Sequence, residues 1–461
     1  MNSEYSISQQ IAFDKYKEGH NIFITGPGGT GKSKLIKDIY NDARARNKEI
    51  QVCALTGCAA VLLECKAKTI HSWAGIGIAT GTISNMVFKI IKSDFKRRNW
   101  KNIDILVIDE ISMMSLKIFE LLDEIGKKAR NNRRPFGGIQ LVFSGDFYQL
   151  PPVGNKDEID TTRFCFESPL WKETFTLKNH IQLTEIFRQK DPVYAKILNE
   201  IREGKLHKSS CKILEEQVQK KQIANPEIYP TKLFPTRNKA DMINQNEMAN
   251  LLVDEIEMEL KYVYDLPITE KEKQIRLQYN SEKIMTELQY IKNNLLCEEK
   301  LRLKIGCQVM CIVNIELPTG HMICNGSQGI VIRMSTNNLP VVKFNNGIEM
   351  VMGYHMWASE TIPGIGISQI PLILAWALTI HKSQGATMDT AEIDIGNSIF
   401  ECGQTYVALS RIKSLEGLYL TSFEPTKIRI NKKVRDFYVS LSTSSSSKPS
   451  LSASLSSSNT N

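Results

Sequence analysis

Short apolar runs alternate with stretches of helical spacing through the first part of the chain. Ile22 to Ile24, Gln51 to Leu55, Asp104 to Glu110 and Ile139 to Ser144 each carry a block of buried-type residues three or four long. Between the first two, Leu35, Ile36, Ile39, Tyr40 and Ala43 recur among Lys, Asp and Arg at the spacing of one helix face. This alternation predicts an α/β fold, and Leu372 to Leu378 reads as a further strand of the same kind. From Leu301 to about Pro371 the pattern changes to short alternating strands: Val309 to Val313, Gly329 to Ile332, Val341 to Phe344 and Glu349 to Met352. Asn325-Gly326 and Asn346-Gly347 supply turns, so a small β-barrel is expected there. Ahead of it, Glu255 to Glu299 is rich in Lys and Glu, with Ile275, Ile284, Leu288, Ile291 and Leu295 spaced helically, and is read as a solvent-facing helical insertion. From about Ser442 the chain is Ser-rich with almost no apolar content and is expected to be disordered.

At 461 residues two to four domains are expected. The net charge of +8 and pI of 8.8 suit a polyanion partner without requiring one. Basic runs beside aromatics, Lys96-Arg97-Arg98 before Trp100 and Lys127-Lys128 through Arg134, fit single-stranded nucleic acid or plain solvated helix faces. The ten cysteines form no CxxC pair and no secretory apolar segment opens the chain, which points to reduced thiols in a cytoplasm, nucleus or viral replication site rather than a secreted protein. Cys307, Cys311, His321 and Cys324 could be drawn as a zinc site, but the first pair lies on an alternating strand pattern of buried small residues. No run approaches the eighteen or so apolar residues of a membrane span.

Chemistry concentrates where the first strand ends. Gly26-Pro27-Gly28-Gly29-Thr30-Gly31-Lys32-Ser33 fits G-x-x-x-x-G-K-[ST], the P-loop pattern, between a strand and a helix. The glycines let backbone amides turn inward on a phosphate, Lys32 would reach the β- and γ-phosphates of ATP, and the Ser33 hydroxyl would hold Mg²⁺. Asp109 and Glu110 close a second apolar strand. Beside a P-loop the first can hold Mg²⁺ through water, and the second can orient or deprotonate the attacking water. Thr56 follows the Gln51 to Leu55 strand, with His71 and Ser72 a little further on, where an open sheet leaves backbone and hydroxyl groups for a phosphate backbone. Gln9, ahead of the P-loop strand, could read an adenine edge or simply sit on a capped surface helix.

A further strand runs into Gly145-Asp146-Phe147-Tyr148-Gln149-Leu150-Pro151-Pro152-Val153, and here the sequence resembles the superfamily-one DNA helicases of the PIF and RecD type. Leu183 to Gln189, Asp191 to Lys205, Phe234 to Arg237 with Asn244, Thr379 to Gly385 and Tyr406 to Arg411 match further motifs of that family in order. The resemblance implies two RecA-like P-loop motor domains with a small SH3-like β-barrel insertion. It makes Gln9 the adenine reader and Gln149 the γ-phosphate sensor, and gives Arg188 and Arg411 to the phosphates. Gly385 would lie on the nucleotide, and His381, Lys382 and Ser383 on DNA. The expected division is 1–180 for the first motor domain, 181–300 and 371–441 for the second, 301–370 for the barrel and 442–461 for the tail. The implied activity is ATP-dependent translocation on single-stranded DNA, 5′ to 3′, with unwinding of forked duplexes by a monomer, in DNA replication, repair, recombination or telomere maintenance. An RNA helicase of the same superfamily and a P-loop clamp that binds without unwinding are the alternatives.

Overall fold

Six parallel strands carry the N-terminal lobe: β1 Ile22–Thr25, β2 Ile50–Ala54, β3 Lys68–Thr69, β4 Ile105–Asp109, β5 Gln140–Ser144 and β6 His180–Gln182. They lie in the order β3-β2-β4-β5-β1-β6. Every residue of β1 and β4 is buried, as expected when helices cover both faces of a parallel sheet. Register is tight, with Ala54 opposite Asp109 and Ile24 opposite Ser144. As a result the segments after β1, β2, β4 and β5 all open at one carboxyl edge, where such sheets bind ligands. The computed structural model describes residues 5–445 other than 64, 78, 80, 156, 221–228, 318–321, 360–361, 381 and 384.

A second parallel sheet orders Ala377–Thr379, Thr231–Phe234, Ala391–Ile395 and Leu418–Phe423. Between its first two strands in sequence lies an inserted β module. Its five-stranded antiparallel sheet runs Glu349–Val351, Pro340–Phe344, Gln328–Met334, Gln308–Cys311, Leu372–Leu374. The Asn346-Gly347 turn is closed by the Gly347 amide donating to the Phe344 carbonyl at 2.9 Å.

The structure corrects three expectations. The 255–299 stretch is not simply helical and solvent-facing. Ile256–Glu259 pairs with Lys300–Leu303, Lys261–Val263 joins a three-stranded sheet, and the helix Ser281–Asn294 buries Leu288 against Ile362, Ile365 and Ile367. Its period-two signal, Ile256 and Met258 between glutamates, is four residues long and is masked by the charge around it. The apolar run from 372 to 378 is two strands, Leu372–Leu374 in the inserted sheet and Ala377–Thr379 in the second parallel sheet. Apolarity reports burial and says nothing of which sheet is joined. Lastly, Lys432–Ser445 is a helix that continues past Ser442, where disorder was expected. It leaves the second lobe and seats Val434 and Tyr438 in the aromatic core of the first, with Phe23, Phe147 and Trp171. The rest of the Ser-rich tail, 446–461, lies outside the described residues.

Candidate nucleotide site

The loop after β1 is held in a cradle by its own sequence. Thr30 Oγ1 donates to the Pro27 carbonyl at 2.9 Å, and Lys32 Nζ donates to the carbonyls of Gly26 and Pro27 at 2.7 and 3.0 Å. Two glycines are forced by their neighbours. At Gly29 (φ +87°) a Cβ would stand 2.5 Å from Arg188 Cβ, and at Gly31 (φ +81°) 2.5 Å from Gln9 Nε2. The Lys32–Ala45 helix starts here and turns its unpaired N-terminal amides toward the loop.

This cradle lines a cleft of 1140 Å³ together with Asp109, Glu110, Arg188, Arg411 and Gly385. Asp109 and Arg411 are 6% and 3% exposed, so both charges are held out of water. Burial raises the Asp109 pKa and lowers that of Lys32. Glu110, beside Asp109 and likewise desolvated, is pushed up to about 7. Its backbone is left-handed at φ 55°, ψ 39°, a strained conformation for a non-glycine residue at the end of a strand. Arg411 is pushed down to about 10 by burial and by the neighbouring Arg188, and Glu110 opposes that shift. Its Nε donates to the Val407 carbonyl and its Nη2 to Ser410 Oγ, each at 2.9 Å. Ser33 is exposed at the mouth of the loop. A hydroxyl and a carboxylate on facing segments form the hard-oxygen donor set that suits Mg²⁺, and the inward amides suit a polyphosphate.

Other anticipated residues fall differently. Gln9 is 2% exposed with both ends of its amide engaged: Oε1 accepts the Ser6 amide at 3.0 Å, and Nε2 donates to the Thr30 carbonyl at 3.2 Å. In this structure it braces the phosphate loop. Gln149 is buried, and its Oε1 has no partner among the described residues. Thr56 and Lys382 line the nucleotide cleft itself. His71 and Ser72 sit on the short helix Ile70–Trp73 at the same sheet edge, with His71 partly buried and Ser72 exposed. Ser383 does not reach a surface: it is fully buried and its hydroxyl donates to the Ile380 carbonyl at 2.9 Å, which corrects its expected place on DNA. His381 lies outside the described residues, as does His321 of the drawn zinc cluster.

Gln189 and Tyr406 stand in two of the motifs without an expected role of their own. Gln189 Nε2 donates to the carbonyls of Ser410 and Ile412, both at 3.2 Å, and Arg188 Nη1 to Ser410 at 3.1 Å. Tyr406 accepts the Gly28 amide at 2.8 Å. These contacts join the phosphate loop and the segment after β6 to the Gln404–Leu409 helix. Their partners are more than 200 residues apart in the chain, so no local pattern announces them.

Two parallel sheets that face one cleft, a phosphate loop on the first and two arginines brought to it, Arg188 from the segment after β6 and Arg411 from between two strands of the second sheet, make this a two-lobed P-loop protein. The profile of the PIF1-like helicase family matches residues 3–212, and that of the DNA helicase Pif1 2B domain matches 288–334. The ATP-dependent DNA helicase Pif1 of Bdellovibrio bacteriovorus is 32% identical over 94% of this chain and 92% of its own length. The ATP-dependent DNA helicase PIF1 of Emericella nidulans is 34% identical over 92% of this chain. Pif1 from a Bacteroides species, crystallised in complex with ADP-AlF4, superposes with a TM-score of 0.79 at 26% identity, over 96% of this chain and 98% of that one. The chain belongs to the PIF1-like helicases. It spans 61% of the Emericella protein and 66% of the yeast helicase RRM3.

Proposed function

We propose that this protein is an ATP-dependent DNA helicase, acting on single-stranded and forked DNA in replication, repair or recombination. The observation that carries the reading is the meeting of Lys32, Asp109 and Glu110 from the first sheet with Arg188 and Arg411 from beyond it around one cleft. Lys32 and the loop amides bind the β- and γ-phosphates. Glu110, with a pKa near neutrality, takes a proton from the attacking water as the bond from the γ-phosphorus to the bridging oxygen breaks, giving ADP and phosphate. Arg188 and Arg411 stabilise charge on the transferring oxygens, and Gln149 senses the γ-phosphate. Ser33 and Asp109 would hold Mg²⁺, which neutralises phosphate charge when bound. Gln9 borders the adenine from its place under the loop, and Gly385 lies along the nucleotide.

DNA crosses the carboxyl edge of the sheets past Thr56, His71, Ser72 and Lys382, and the relatives' family implies 5′ to 3′ movement. The motor domains fall at 1–180 and at 181–300 with 371–441, and an SH3-like barrel at 301–370. The protein works as a monomer in a reducing compartment. Nine described cysteines are free thiols, and no described helix is long and apolar enough to cross a membrane. Strand displacement on forked, 5′-tailed and 3′-tailed DNA, with RNA-tailed controls, tests the reading. Displacement of forked and 5′-tailed DNA alone is expected. Equal use of RNA tails would favour an RNA helicase, and binding without displacement a clamp.

A further inference from the structure

The C-terminal helix Lys432–Ser445 belongs to none of the motifs above, yet it sends one side chain beneath the nucleotide cleft. The Tyr438 ring lies flat on Tyr148, with centroids 4.6 Å apart and planes 10° from parallel. Its hydroxyl sits 2.6 Å from Thr25 Oγ1, accepts the Phe147 amide at 3.1 Å and reaches Asp146 Oδ1 at 3.3 Å. Thr25 is the last residue of β1, directly before Gly26 of the phosphate loop, and Phe147 stands two residues before Gln149. Asp146 is gripped in turn by Arg202 Nε and Nη2, both at 2.8 Å, and that guanidinium lies over both tyrosine rings, 4.6 Å from Tyr148 and 5.4 Å from Tyr438.

Packing alone accounts for the ring, since Phe437 beside it serves the same aromatic core without a hydroxyl. The hydroxyl needs its own explanation. A phenol has one proton and two lone pairs, and here the proton can go to Asp146 while the Thr25 hydroxyl and the Phe147 amide fill the lone pairs. Thr25 ends the strand that feeds the phosphate loop, Asp146 and Phe147 lie on the loop after β5, and none of the three belongs to the helix that carries the tyrosine. Burying a hydroxyl unpaired is costly, so this saturated geometry resists displacement of either loop.

We propose that Tyr438 is a positioning residue for ATP hydrolysis: through its hydroxyl, the C-terminal helix fixes the loop that carries Gln149 against the strand that feeds the phosphate loop. The proposal rests on the hydrolytic reading given above. Tyr438 touches no reacting atom, so its loss acts through geometry, where displacements of about 1 Å can cost on the order of 10²-fold in rate.

The test is Tyr438→Phe in the full chain, which keeps the stacked ring and removes the hydroxyl. Hydrolysis is measured against ATP concentration with saturating oligothymidylate, and melting temperature on the same preparations. The expected result is a fall in kcat of about tenfold with KM for ATP within about twofold, because binding contacts survive and alignment does not. Leu441→Ala, which trims the same helix away from both loops, serves as the stability control. It is expected to lower the melting temperature at least as much while leaving kcat nearly unchanged. An unchanged kcat in Tyr438→Phe overturns the proposal, and so does an equal kcat loss in Leu441→Ala. Absence of hydrolysis in the wild-type chain overturns the functional reading first and this inference with it.

Discussion

The cleft edge of the first sheet and the inserted β module treat charge in opposite ways. At the cleft, Asp109, Asp146, Arg202 and Arg411 are all at most 6% exposed, and Glu110 adopts a left-handed backbone. In the module, Lys300 bridges to Glu257 and Glu259 at 3.0 and 3.3 Å and Arg302 to Glu257 at 3.0 Å, across strand pairs whose charged ends stand in water. Positive φ in the module falls on Gly306, Gly326, Gly347, Gly364 and Asn338, residues that tolerate it. Buried charge is costly to desolvate, and a strained glutamate adds to that cost. The first lobe bears both at its phosphate site, and it also buries Lys117 and Asp123 and holds Lys66, Ala79 and Phe136 at positive φ away from that site, while no described residue of the module buries a charge. At the cleft such costs accompany a phosphate site, and in the module exposed charge accompanies a scaffold.

The contrast can be broken by mutation. Arg411→Ala should lower DNA-stimulated hydrolysis by ~10³–10⁵, the range for arginines that complete phosphoryl-transfer sites, and Arg411→Lys should restore little because a point charge lacks the planar fork. Nucleotide-free affinity for single-stranded DNA should stay within about a few-fold, since backbone binding is spread over many contacts. Parallel loss of hydrolysis and DNA affinity would make Arg411 a structural residue.

Glu110→Gln should cost ~10²–10⁴ in hydrolysis rate. The wild-type rate should also depend on pH with a definite sign. A base works deprotonated, so activity is present above its raised pKa of about 7 and is lost as pH falls through it. Steady-state rates between about pH 6 and 8 check this, and a flat profile removes Glu110 as the base.

Arg202→Met leaves Asp146 buried without its partner. Breaking such a pair typically costs ~3–5 kcal/mol, measurable by chemical denaturation of the first lobe. Lys300→Ala, on an exposed pair of the module, should move the melting temperature by only about a degree or less. If the module variant destabilises as much as the cleft variant, exposure is the wrong guide to where charge matters in this protein.

Much of the site was legible. The phosphate loop, the acidic strand end at 109–110 and the arginines at 188 and 411 each stand at a turn out of an apolar run or in an ordered motif, and the structure gathers them at one cleft. Gln9 and Ser383 show the limit. Both were assigned by type and motif, yet Gln9 spends its amide on Ser6 and Thr30, and Ser383 turns its hydroxyl inward. A residue letter gives bonding capacity, and only the packed environment says which partner takes it. The strand at Ile256–Glu259 was missed for a related reason: its alternation is short and its outward residues are the same glutamates that suggested a helix.

Near neighbours along the chain specify the glycine loop, the burial of β1 and β4, the period-two strands of the module and the positions of the acidic pair. These follow from backbone sterics and hydrophobic spacing over a few residues. Long-range packing divides the run at 372–378 between two sheets, sets Gln189 and Arg188 on the carbonyl of Ser410, and brings Tyr438 to Thr25 and Asp146. Such contacts join groups hundreds of residues apart. Hydrogen bonding is satisfied by whatever donor the fold brings within 3 Å or so, and no periodicity along the chain records that distance.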